Sequence, residues 1–66
     1  MADQPPSDEQ VLDAAASGYS AHTIARILGV EDRAVRTTIA RIRRRLGARS
    51  LDHAVQIHQT RKEQQS

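Results

Sequence analysis

The sequence predicts an all-α domain of four short helices, and three observations carry that reading. Gly18, Gly29 and Gly47 each close a stretch of helical apolar spacing, and Ser7, Ser20 and Ser50 each open one. Between these signals the apolar residues recur every three or four positions, and no run alternates as a strand would. The available core residues are Leu, Ile, Val and Ala with a single aromatic, Tyr19, a palette suited to helix-on-helix packing. Sixty-six residues make one domain, and a core this small depends on well-capped helices or on oligomerisation.

Each element has its own justification. Residues 1–6 (MADQPP) read as a disordered N-terminal arm. Ser7 then caps a helix over 8–17, with Gln10 completing a capping box and Asp8 and Glu9 placed where the helix dipole favours negative charge. Val11, Leu12 and Ala15 form its buried stripe. Tyr19 is expected to lie over the core as a small lid, and Ser20 caps a helix over 21–28 whose apolar set is Ile24, Ala25, Ile27 and Leu28. Gly29 and Val30 make a tight turn, with Val30 plugged inward, into a third helix over 32–46. A short helix, a brief glycine turn and a longer basic helix constitute a helix-turn-helix. Ser50 caps a fourth helix over 51–59, lined on one side by Leu51, Ala54, Val55 and His58, so that the domain spans 7–59. Residues 60–66 read as a polar tail that frays.

The third helix, DRAVRTTIARIRRRL, organises the rest. At about 100° per residue, Val35, Ile39, Ile42 and Leu46 fall on one narrow line. Arg33, Arg36, Thr37, Ala40 and Arg44 fall opposite, with Arg41 and Arg43 on the shoulders. Such a helix sits on its own protein and faces an anion; phosphate is the obvious one, and a helix fits the DNA major groove. Charge segregation agrees. Residues 26–49 hold eight arginines against Glu31 and Asp32, a net +6, while the whole chain carries +2. One basic working face is the electrostatic footprint of a nucleic-acid binder.

Within that face Arg36 is the first choice for reading a base, because arginine can bond guanine O6 and N7 together. Arg33 and Thr37 divide between bases and phosphates, and Ala40 lies one turn on, against base edges. Arg41, Arg43, Arg44 and Arg45 are expected as phosphate clamps, although basic residues near a helix C-terminus also answer the dipole. Arg26 either meets phosphate or pairs with Asp32. Ser20, His22 and Thr38 complete the expected backbone contacts.

Other chemistries find little support. Without cysteine there is neither a disulfide nor a thiolate metal site, and His53 and His58 stand five apart, off the spacing of a helical zinc pair. No glycine-rich phosphate loop or carboxylate pair occurs, and a helical domain this small offers no pocket for catalysis. Neither an enzyme, nor a cofactor, nor a small-molecule ligand is expected. No signal peptide or membrane-spanning run is present, so the expected location is the cytoplasm, in association with the nucleoid.

With the helices placed, the sequence resembles the LuxR/GerE (NarL/FixJ-type) DNA-binding domain of bacterial transcription factors. The residues that carry the resemblance are Gly18, Ser20, Ile24-Ala25, Leu28-Gly29-Val30, Val35-Arg36, Ile42, Leu46-Gly47 and Ala54-Val55, across residues 7–58. RIRRRLGARSLDHAV is the most specific segment. The resemblance implies a third helix that enters the major groove, with Arg36, Thr37 and Ala40 against base edges, and a fourth helix that forms a two-fold dimer contact through Leu51, Ala54, Val55 and His58. The sequence departs from the family where Glu31 replaces a usual serine, Ala34 a usual threonine and Thr38 a frequent histidine. Glutamate is common at Thr23, and arginine and glutamate are common where Leu51 and His53 stand. Asp32 is therefore expected to take over the cap of the third helix.

The reading that follows is a stand-alone regulator of bacterial or phage origin, binding an inverted repeat of double-stranded DNA as a homodimer. The alternative is a helix-turn-helix module that contacts RNA polymerase or another transcription factor instead of DNA. It would resemble region 4 of sigma factors, which shares the GxS-xx-IA-xx-LG pattern. A third reading, nonspecific packaging of nucleic acid, predicts binding that ignores sequence and collapses with salt.

Overall fold

A computed structural model describes residues 6–65. Four helices follow in order: α1 (Asp8–Ala16), α2 (Ala21–Leu28), α3 (Asp32–Leu46) and α4 (Leu51–Gln65). The architecture is all-α, with no strand among the described residues. None of these helices is long and apolar enough to cross a membrane.

Local chemistry accounts for the boundaries. At α1 the capping box is complete: Ser7 Oγ accepts from the Gln10 amide at 3.1 Å, and Gln10 Oε1 accepts from the Ser7 amide at 3.0 Å. At α2, Ser20 Oγ accepts from the Thr23 amide at 3.3 Å. Gly29 closes α2 in the left-handed region at φ 71°, where a side chain would be strained, and this lets the Val30 amide return to the Ala25 carbonyl at 2.9 Å. Gly47 does the same for α3 at φ 65°, with the Ala48 amide on the Arg43 carbonyl at 2.9 Å. Ser50 caps α4 through the His53 amide at 3.1 Å, and His53 Nδ1 accepts from the Arg49 amide at 3.1 Å.

The core gathers Val11 and Leu12 from α1, Ile24 and Ala25 from α2, Val35 and Ile42 from α3, and Ala54 and Val55 from α4. Val30 packs against it as expected, together with Ile39, Leu46 and Leu51. α3 lies against all three other helices, and α1 also packs on α4, so the recognition candidate rests on a closed scaffold.

Several sequence expectations need correction. α1 ends at Ala16, with Ser17 as its C-cap. α4 does not fray at Gln59 but continues to Gln65. Pro6 is buried rather than part of a disordered arm, while residues 1–5 lie outside the described residues. Tyr19 leaves 47% of its surface exposed and Ile27 leaves 54%, so neither is a core residue. Ile27 has the helical spacing of a buried position, but no other helix covers its side of α2.

Candidate nucleic-acid interface

α3 presents the candidate interface because its two sides have different fates. Val35, Thr38 and Ile42 are buried, Ile39 and Leu46 are partly so, and Arg33, Arg36, Thr37, Ala40 and Arg44 are all exposed. Within the described residues, no acidic group pairs with Arg33, Arg36 or Arg44. Thr37, Ala40 and Arg44 line a shallow hollow whose rim is completed by Arg41 and Arg45.

The N-terminus of α3 has no side-chain cap, because Glu31 at that position makes no capping hydrogen bond. Nor does Asp32 substitute for it. Asp32 sits in the first turn with Oδ2 at 2.9 Å from His22 Nδ1, which ties α2 to α3 across the turn. That pairing engages Nδ1 of the exposed His22, and it takes Asp32 as the partner that Arg26, itself exposed, was expected to have. Ser20 Oγ, also expected at phosphate, is the α2 cap and lies 3.1 Å from Thr23 Oγ1.

Thr38 is the clearest correction. It is fully buried, its hydroxyl donating to the Ala34 carbonyl at 3.0 Å, with the Pro6 carbonyl at 3.4 Å as a further acceptor. It has no surface to offer a phosphate. Instead it anchors the segment before α1 to the inner side of α3.

Three of the four expected phosphate clamps are also occupied, and Arg44 is the exception. Arg41 donates from Nε and Nη2 to Asp8 Oδ1 at 3.1 and 2.8 Å. Arg43 Nη2 donates to the Arg49 carbonyl at 2.8 Å and so secures the loop before α4. Arg45, one turn beyond Arg41, holds the other Asp8 oxygen. Partial burial pushes the Asp8 carboxyl up, but the hydrogen bonds and charges of Arg41 and Arg45 outweigh it and hold the group below its ordinary value.

Two of the four expected dimer residues on α4 face their own core, and the other two are partly buried beside them. Ala54 is fully buried and Val55 is 9% exposed, both inside their own domain. Leu51 packs against the same core, and His58 faces Asp13 of α1, its Nε2 at 3.6 Å from Oδ1. The outward hollow of α4 is lined by His53, Gln56, Ile57, Thr60 and Arg61. Periodicity identified an apolar side correctly, but α1 covers it.

A four-helix domain with a glycine turn before a basic, solvent-facing third helix matches the profile of the bacterial regulatory proteins of the luxR family (GerE) over residues 7–58. The chain belongs to the luxR family. Neither a curated protein nor a solved structure matches it. Its luxR-family domain covers α1 to α3 and the N-terminal half of α4, and the family is one of DNA-binding helix-turn-helix regulators rather than enzymes.

Sequence reasoning missed Asp8 as a partner of α3. It appeared only as a favourable charge in the first turn of α1, more than thirty positions from Arg41. The sole available signal was the i, i+4 spacing of Arg41 and Arg45, which puts both guanidinium groups on one line.

Proposed function

We propose that this luxR-family chain is a sequence-specific transcriptional regulator that places α3 in the DNA major groove and binds an inverted repeat as a homodimer. One observation carries the reading: Arg33, Arg36, Thr37, Ala40 and Arg44 form one exposed face on α3, with no acid paired to its three arginines within the described residues. Arg36 is the base reader, able to bond guanine O6 and N7 with about 1–3 kcal/mol of discrimination. Arg33 and Arg44 flank it, Arg44 serving phosphate from the C-terminal end, and Arg26 reaches phosphate from α2. The dimer forms on the outer side of α4 around Ile57, the one large apolar residue lining that hollow. Half-sites then lie about 10 bp apart, one helical turn.

The test is selection of bound sequences from a random duplex library at physiological salt. A palindromic motif bound at least about a thousandfold tighter than scrambled DNA is expected. Absence of any enriched motif overturns sequence specificity. Tyr19 and Ile27 favour a second reading, contact with another transcription protein, since both are large hydrophobic side chains left exposed outside α3. Changing Arg36 and Arg44 separates the two: DNA binding is lost in the first reading, and the protein contact survives in the second.

A further inference from the structure

Residues 41–45 concentrate four arginines, and the structure leaves one of them free. Arg43 serves the Arg49 carbonyl, Arg41 and Arg45 serve Asp8, and Arg44 alone points out unpaired among the described residues. Asp8 is well placed for this task. The capping box fixes it in the first turn of α1, and its side chain is 19% exposed against 46% for Arg41 and 67% for Arg45. A partly buried carboxylate that engages two guanidinium groups through three hydrogen bonds holds them more firmly than a lone exposed ion pair would. Arg41 and Arg45 nevertheless rim the same hollow as Thr37, Ala40 and Arg44, within reach of any polyanion laid on that face.

We propose that Asp8 is a specificity-determining residue, which withholds Arg41 and Arg45 from DNA phosphates and so limits sequence-blind binding. The proposal rests on the reading of α3 as the DNA-binding helix. Its logic is electrostatic. Each phosphate neutralised by an arginine adds affinity for any duplex and information about none, whereas base contacts made by Arg36 discriminate. Occupying two guanidinium groups internally, and presenting a carboxylate beside them, lowers the nonspecific background against which Arg36 works.

The experiment measures binding to random-sequence duplex across salt concentrations for the full chain and for Asp8→Asn. Glu9→Gln serves as control, because it removes the same charge from the same turn without touching an arginine of α3. The expected result is a salt dependence for Asp8→Asn steeper by about 0.9 for each arginine released. Between roughly 50 and 200 mM salt it then loses about tenfold more affinity than the control. Its preference for the selected operator over random DNA falls. Identical behaviour of the two variants overturns the proposal.

Because Asp8→Asn could weaken the fold, the unmodified chain supplies a second measurement. On adding duplex, the Arg41 Nε–H resonance stays in place while those of Arg33, Arg36 and Arg44 move; a displaced Arg41 signal means that phosphate outcompetes Asp8, and the proposal falls. Should the chain bind no duplex at low salt, the DNA reading fails by itself. Retention on a sulfated polysaccharide column then decides the Asp8 question, with later elution of Asp8→Asn than of Glu9→Gln expected and equal elution overturning it.

Discussion

α3 and α4 are both fifteen residues long, and each buries one side in the same core. They differ in what lies on the other side. α3 turns exposed arginines outward, so its inner and outer faces differ sharply in polarity. α4 buries Ala54 and Val55 and turns out His53, Gln56, Thr60 and Arg61, with Ile57 among them. In α3 charge separates the two sides, with every arginine exposed and only Thr38 polar among the buried residues. In α4 two apolar features compete for the same explanation, and only the neighbouring α1 shows which is core. A helical projection tells which residues share a face, not what covers it.

The comparison breaks most readily at Val55. Val55→Glu forces a charge into the packed core, costs several kcal/mol, and unfolds the domain. Far-UV circular dichroism checks this, and a folded monomer would return Val55 to the dimer interface. Arg36→Ala comes next: the fold is retained, operator affinity falls by about 1–3 kcal/mol, and preference relaxes at one base position, read by titrating variant operators. Equal weakening on every sequence would instead place Arg36 on phosphate.

Ile57→Glu sharpens the α4 side. The domain stays folded, solution mass by sedimentation falls to that of a monomer, and binding to the palindrome weakens more than binding to a half-site. An unchanged mass argues against an α4 dimer. Thr38→Val removes a buried hydroxyl while keeping its shape, costing about 1 kcal/mol in thermal unfolding and leaving the salt dependence of DNA binding unaltered. A shallower salt slope would restore Thr38 to the phosphate contacts.

The smallest effect is the acid limb of stability. The Asp8 carboxyl titrates below its ordinary value of 3.8 when folded, so its contribution is complete above that value and is lost as pH falls through the lowered one. Arg41 and Arg45 face it from α3, with Glu9, His58 and Arg61 around the adjoining cleft. Asp8→Asn therefore lowers stability at neutral pH by about 1 kcal/mol or less and flattens the loss in strong acid, as chemical denaturation across pH would show.

Much of the fold was legible in residue order because its signals are local. Ser7 and Gln10 stand three apart, Gly29 and Gly47 each follow the last apolar position of a helix, and the arginine face of α3 lies within one run of sequence. Apart from helix ends and the uncapped start of α3, the failures were questions of distance. Thr38 looked like a phosphate donor until Pro6 and Ala34 enclosed it, and Arg41 looked free until Asp8 arrived from α1.

The sequence by itself determined the four helices, the serine caps of α1, α2 and α4, the glycine turns, and the five outward positions of α3, since hydrogen bonds and periodicity within a few residues decide these. Tertiary packing decided which apolar sides became core and which arginines remained available. Both depend on groups brought together across tens of residues: burial has no meaning for an isolated helix, and a guanidinium is free or engaged only in relation to the carboxylate that folding places beside it.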